Sequence, residues 1–163
     1  MIDTRPAWRK RLEARFNDKL GVLAERIHFI PAQSAQAFNA LLAAADVVLD
    51  TLHFSGGFTS FESLWAETPL VTERGNYMRG RVSAGLYDLL GLDCAITAGA
   101  EAYAARAIEL AHEGTLNRAF CTQLGERKGR LLNLDDSVLP AYGRFFNDAL
   151  ETAEHNRSER MAS

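Results

Sequence analysis

A glycine-rich turn is the part of this sequence best suited to chemistry. An apolar run, "DVVLD", leads into "SGGFTS" (55–60), where a helix is predicted to begin. Gly56 and Gly57 let the backbone approach a ligand with no Cβ in the way. The helix that follows offers N–H groups and the positive end of its dipole, and Thr59 and Ser60 add hydroxyl donors. The turn therefore predicts a site for a phosphate or diphosphate.

A glutamate follows this turn. Glu62 comes three residues after Thr59, so both are expected on one face of the helix, with the glutamate in its first turn. A carboxylate suits sugar hydroxyls better than phosphates, and ribose diols are often held this way. Together these features predict a nucleoside diphosphate with its ribose at Glu62. The alternatives stay open: the glutamate complements the helix dipole, and the Gly-Gly turn binds nothing, since its spacing is neither GxGxxG nor a P-loop.

Alternating strands and helices must position this turn. Strands are predicted at 26–30, 46–50, 69–72 and 94–97. Helices are predicted at 5–20, 34–45 (capped by Ser34), 58–67, 77–90 (stopped by Gly91), 101–114, 115–131 and 137–155 (capped by Ser137). This order predicts βαβ units and a Rossmann-like, three-layer α/β domain with a parallel sheet. Ligands then bind beyond the carboxyl ends of the strands, where the turn lies.

Three details of this organisation are expected. The run 46–50 is continuously apolar between aspartates, as in a central parallel strand covered on both faces. The chain begins with a helix rather than with a strand. Residues 1–155 form a single nucleotide-sugar-binding domain, and residues 156–163 are expected to be a disordered tail.

Composition excludes several classes of function. The 163 residues are 47% hydrophobic and 24% charged, with a net charge of −3 and a pI near 5.8, which argues against nucleic-acid binding. No apolar run reaches the roughly 20 residues that cross a bilayer, and no secretory signal is evident, so a cytoplasmic protein is expected. The four histidines lack ligand spacing, so we expect no metal site.

The stretches "SGGFTSFESLWAETPLVT" and "RGRVSAGLYDLLGL" resemble the C-terminal catalytic half of the O-linked N-acetylglucosamine transferases, the SPINDLY-like group. The resemblance extends over about residues 10–150. It implies half of a two-domain GT-B fold and an inverting glycosyltransferase. It also implies a UDP-GlcNAc donor, no metal or other cofactor, and serine or threonine of a protein as acceptor.

The resemblance also implies a donor site, and its residues are Gln33, Phe38, Ser55, Gly56, Gly57, Phe58, Thr59, Ser60, Glu62 and Arg81. Phe38 matches a ring that stacks on uracil, and Gln33 falls where the edge of the base is read. Glu62 matches the acidic ribose contact. Arg81 matches an arginine with no assigned role. Phe58 departs from the family, whose members usually carry a small polar residue there. No residue matches a catalytic general base.

The resemblance covers only part of such an enzyme. The family's phosphate-binding lysine, the first strand of the sheet and the N-terminal domain are expected upstream of residue 1. The last helix normally reaches that other domain, so its apolar face over 138–150 is expected to bind the missing domain or a second copy. The leading hypothesis is therefore an enzyme fragment that binds a UDP-sugar. The alternative is a non-catalytic, stand-alone Rossmann-like module for nucleotide binding or interaction.

Overall fold

The structure, a computed structural model, describes residues 2–3, 6–112, 114–132 and 138–162. The strands of these residues are β1 (Ile2–Asp3), β2 (Ile30–Pro31), β3 (Val48–Leu49), β4 (Leu70–Glu73) and β5 (Ile96–Thr97). The helices are α1 (Pro6–Leu20), α2 (Ala35–Ala43), α3 (Phe58–Trp65), α4 (Val82–Leu90), α5 (Ala100–His112), α6 (Gly114–Arg127) and α7 (Val138–Ala162). Residues 1–128 form one compact unit and residues 129–163 another.

The predicted parallel sheet is confirmed, but its central strand is not the predicted one. The order is β3-β4-β5, with Val48 opposite Leu70 and Thr72 opposite Ile96. In β4, Leu70 and Thr72 are fully buried, whereas Leu49 of β3 is 58% exposed. The expectation that 46–50 is covered on both faces is therefore wrong. A continuous apolar run indicates a buried strand, but it does not show on how many sides neighbours lie.

The start of the chain also differs from expectation. Residues Ile2–Asp3 pair in parallel with Ile30–Pro31, so the chain begins with a short strand rather than with a helix. Of the strand predicted at 26–30, only Ile30 lies in β2; Arg26 ends a 3-10 turn that begins at Gly21, and residues 27–29 have no regular secondary structure. Two-residue strands are too short to show the alternation by which a strand is recognised.

The helix boundaries follow the capping signals. The Ser34 Oγ accepts a hydrogen bond of 3.2 Å from the Ala37 N–H and starts α2, as predicted. Gly91 ends α4 in the left-handed conformation with φ +67°, also as predicted. The helix predicted at 77–90 is divided at Arg81 into a 3-10 turn, Met78–Gly80, and α4. The predicted Ser137 cap lies outside the described residues.

The core of the first unit lies where α3, α4 and α5 pack against β4. Tyr87 of α4 is fully buried, and its hydroxyl donates to the Leu70 carbonyl at 2.8 Å and accepts from the Leu70 N–H at 3.0 Å. The hydroxyl therefore satisfies the backbone groups of Leu70, which precedes the part of β4 that pairs with β5. These two bonds fix α4 against β4, whose Leu70 also lines the candidate cavity.

Within the second unit, α7 continues to Ala162 and so includes most of the residues predicted to be a tail. The extent of the domain stays a prediction. Six large apolar side chains of α7 are 44–79% exposed: Val138, Leu139, Tyr142, Phe145, Phe146 and Leu150. Exposed apolar faces of this size are typical of interaction surfaces.

Candidate functional site

The glycine-rich turn connects the carboxyl end of β3 to α3 and needs glycine for two different reasons. Gly57 has φ +63° and ψ −113° and immediately precedes α3, a conformation that residues with a Cβ rarely adopt. A Cβ on Gly56 would lie 2.5 Å from the Thr59 Oγ1 and 2.7 Å from the Ser60 Oγ. The turn is therefore tightly folded over the first residues of the helix.

A buried aspartate that sequence reasoning missed anchors this turn. Asp50 is 7% exposed, and its Oδ1 accepts from the N–H of Thr51 at 3.0 Å and of Gly56 at 2.9 Å. Its Oδ2 accepts from the Thr72 Oγ1 of β4 at 2.7 Å. The Gly56 amide is thus bonded inside the protein. The one feature of the sequence that could have pointed to Asp50 is its position as an acidic residue directly after an apolar strand.

A second loop supports the turn from β4. The Ser55 N–H donates to the Arg79 carbonyl at 2.7 Å, and the Gly75 N–H donates to the Gly80 carbonyl at 3.0 Å. A Cβ on Gly75 would lie 2.8 Å from the Gly80 carbonyl oxygen, so the two ends of this loop meet only because residue 75 is glycine. Ser55 itself is buried, and its Oγ has no hydrogen-bond partner among the described residues.

A cavity of about 360 Å³ opens between α2, β3 and the turn. It is lined by Phe38, Leu42, Val48, Leu49, Asp50, Thr51, Gly56, Thr59, Ser60 and Leu70. The structure therefore brings four predicted site residues into one cavity: Phe38, Gly56, Thr59 and Ser60. Its position beyond the carboxyl end of a parallel strand is where ligands bind in such sheets.

The hydroxyl groups of Thr59 and Ser60 are engaged with the protein. The Thr59 Oγ1 donates to the Gly56 carbonyl at 2.9 Å, and the buried Ser60 Oγ accepts from the Ser83 Oγ at 2.8 Å. The first-turn N–H groups of a helix have no acceptor within the helix. In α3 these belong to Phe58, Thr59 and Ser60, so the backbone, rather than the hydroxyls, is the donor set suited to an anion.

Six predicted site residues do not line the cavity: Ser55 and Gly57 of the turn, described above, and Gln33, Phe58, Glu62 and Arg81. Gln33 is exposed, and its Nε2 donates to the Pro31 carbonyl at 2.7 Å. Phe58 is 73% exposed and stacks on Phe61, with ring centroids 5.9 Å apart. Glu62 is half-buried and lies in the second turn of α3, because the helix begins at Phe58; its expected place in the first turn is wrong. The helix dipole therefore gives no account of Glu62.

Arg81, the last of these residues, is exposed at the start of α4. It contributes, after the larger effect of Arg74, to holding the pKa of Asp88 below its ordinary value. Arg74 makes two bonds to that carboxylate, at 2.9 and 2.7 Å, so its charge is matched. Arg74 and Arg79, but not Arg81, line a second cavity of about 330 Å³ beside His53, beyond the end of β4.

A tyrosine of α5 reinforces the aspartate. The Tyr103 hydroxyl donates to the Asp50 carbonyl at 2.6 Å. Burial, with a smaller contribution from the Asp50 charge, raises the pKa of Tyr103 to about 12, so it stays a donor at neutral pH. Three elements thus meet at Asp50: β3, β4 and α5.

Among the described residues, the side chains of histidine, cysteine, aspartate and glutamate form no group of three or more that could hold a metal ion. None of the described helices is long and apolar enough to cross a bilayer.

Comparison with solved structures finds 37 chains that resemble this one. A mutant form of Thermobaculum terrenum O-GlcNAc transferase matches with a TM-score of 0.78 and 30% sequence identity, covering 91% of this chain. This likeness confirms the predicted fold class, an α/β Rossmann-like half of a GT-B fold. The chain spans 29% of the length of that enzyme. No protein of curated function matches the sequence. The model of glycosyl transferase family 41 matches residues 6–132, well over half of the sequence, and the chain therefore belongs to glycosyl transferase family 41.

Proposed function

We propose that this chain is the donor-binding half of an inverting glycosyltransferase that takes a UDP-GlcNAc-like sugar and modifies serine or threonine of proteins. The observation that carries the proposal is the cavity that joins Phe38 to the first turn of α3 at the carboxyl end of β3. An aromatic face and a set of backbone amides, together in one cavity, suit a nucleoside diphosphate. Transfer itself requires the second domain of the GT-B fold.

In the proposed complex, uracil stacks on Phe38 and the diphosphate lies at the amides of residues 58–60. The Gly56 amide is excluded from this set, because it donates to Asp50. Glu62 and Gln33 do not line the cavity, and their contacts with the ribose and the base rest on the family resemblance alone. Arg81 has no role in the proposed complex.

The proposed task of this half in catalysis is stabilisation of the leaving group. The acceptor hydroxyl attacks the anomeric carbon and gives up its proton to a base that this chain does not supply. The bond from that carbon to the diphosphate breaks, and its electron pair stays on the diphosphate oxygen. Preorganised N–H groups at α3 stabilise that growing charge in a way that water cannot match. We assign no general base to this chain, and we propose that no metal takes part.

The exposed apolar face of α7 favours a partner. We propose that the N-terminal half of the enzyme covers this face, and that a second copy covers it when that half is absent. The exposure of Tyr142 and Phe145, 59% and 64%, is the observation that supports this. The same face also supports the second candidate function, a non-catalytic nucleotide-binding or interaction module.

Calorimetric titration with UDP and ADP tests the proposal. We expect UDP to bind more tightly than ADP, and Phe38→Ala to weaken UDP binding by about 5- to 150-fold, the equivalent of 1–3 kcal/mol of stacking. Phe54→Ala is the matched control, because Phe54 is 68% exposed in the neighbouring loop and does not line the cavity. Addition of EDTA is expected to leave UDP binding unchanged. Equal binding of both nucleotides, or of neither, contradicts the proposal.

A further inference from the structure

We propose that Asp50 is a positioning residue: its carboxylate holds the turn over 55–60 in the form that presents the α3 amides to an anion. The identity of the anion as a diphosphate rests on the proposed function. Asp50 itself donates nothing to the ligand. It acts through the Gly56 amide, which its Oδ1 binds at 2.9 Å.

Hydrogen bonds to residues outside the turn hold Asp50 in place. Its N–H donates to the Val71 carbonyl at 3.0 Å, its Oδ2 accepts from the Thr72 Oγ1, and its carbonyl accepts from the Tyr103 hydroxyl. Hydrogen bonds to an ionised carboxylate are about twice as strong as those between neutral groups. The bond to Gly56 therefore transmits the position of the central strand to the turn.

The turn depends on this bond because its own sequence is permissive. Gly56 and Gly57 are adjacent, and glycine has the largest conformational freedom of any residue. The Ser55 N–H also donates to the Arg79 carbonyl, whereas the other described bonds to the two glycines, at their carbonyls, come from Thr59 and Phe61 of α3 itself. Without the Asp50 bond, a ligand has to order the glycines as it binds, and this ordering lowers affinity.

Removing the charge of Asp50 distinguishes a positioning role from a direct electrostatic effect on the ligand. A buried carboxylate close to an anion site repels the anion, so its charge cannot be the reason it favours binding. An asparagine keeps the geometry: its Oδ1 accepts from Gly56, and its Nδ2 donates to the Thr72 Oγ1. Asp50→Asn is therefore expected to bind UDP at least as well as the parent chain, whereas Asp50→Ala loses the anchor.

The experiment compares UDP with uridine, which lacks the phosphates, by calorimetric titration at low temperature. We expect Asp50→Ala to weaken UDP binding by about tenfold, with uridine binding unchanged. Thr72→Val is the matched control, since it removes the Oδ2 bond and leaves the bond to Gly56; UDP binding should stay within about threefold. Equal losses for UDP and uridine, or no loss of UDP binding in Asp50→Ala, overturn the proposal.

Hydrogen exchange without ligand separates this inference from the proposed function. Asp50→Ala should speed amide exchange over 51–60 by about tenfold and leave α2 unchanged, and Asp50→Asn should restore slow exchange. If the parent chain fails to bind UDP, the proposed function fails, and exchange alone decides whether Asp50 holds the turn. If Asp50→Ala does not fold, Asp50→Ser takes its place. If neither folds, Asp50 is a folding residue and the proposal is overturned.

Discussion

Replacing Gly57 by alanine isolates the backbone conformation of the turn. A Cβ at this position would meet nothing within 4 Å, so no steric clash arises, yet φ is +63° and ψ is −113°. Backbone conformations of this kind cost residues other than glycine about 1–3 kcal/mol. Gly85 is the matched control, because its Cβ also meets nothing within 4 Å but it lies within α4. Gly85→Ala should stabilise the chain by about 0.5–1 kcal/mol.

Thermal unfolding and UDP titration together measure the effect. For a chain of this size, the loss in Gly57→Ala corresponds to a fall in Tm of about 2–12 °C, and Gly85→Ala should raise it. If the turn relaxes to release the strain, the same free energy appears as weaker UDP binding, about 5- to 150-fold. Equal Tm increases for both variants, with unchanged UDP affinity in Gly57→Ala, would refute the argument that the turn needs a positive φ.

Three further substitutions test other parts of the structure. Tyr87→Phe leaves the N–H and carbonyl of Leu70 unpaired and should lower the free energy of unfolding by about 2–4 kcal/mol, measured with urea. Burial raises the pKa of Tyr87 above its ordinary 10.0, so the parent chain should lose stability as pH rises above that value, and Tyr87→Phe should lose less. Glu67 has φ +63°, and its side chain, 42% exposed, pairs with that of Lys128, which is 32% exposed. Glu67→Gly should raise the free energy of unfolding by up to about 1 kcal/mol, because glycine adopts this φ without strain. Glu67→Gln should lower it slightly, because it removes only the ion pair. Gly75→Ala places a Cβ 2.8 Å from the facing backbone and should weaken UDP binding while leaving uridine binding unchanged.

The sequence predicted the parts of the fold that local signals specify. Ser34 and Gly91 mark a helix start and a helix end by backbone chemistry that needs no tertiary contact. The run at 69–72 became β4, the buried central strand, because an apolar stretch after a proline has few alternatives. The glycine-rich turn was found from a local signal too, because two adjacent glycines between an apolar run and a helix are typical of a turn that other residues cannot form.

Long-range hydrogen bonds account for what the sequence did not show. Asp50 meets Thr72 and Tyr103 across 22 and 53 residues, and no local pattern announces such pairs. The edge position of β3 was missed because a pattern in one segment does not report the neighbours of that segment. Glu62 was placed in the first turn of α3 although the predicted start at residue 58 was correct; as the fifth residue of the helix it lies beyond the first turn of about 3.6 residues.

These bonds also explain how the turn can tolerate Phe58, where the family resemblance leads us to expect a small polar residue. The Gly56 amide donates to Asp50, and the hydroxyls of Thr59 and Ser60 are hydrogen-bonded to Gly56 and Ser83. The donors left for an anion at the start of α3 are therefore backbone amides. A site made of backbone amides does not depend on the side chain at residue 58. The Phe58 ring is 73% exposed and stacks on Phe61 along α3, and the cavity wall does not include it. The substitution therefore changes the apolar surface beside the site and leaves the amide donors in place.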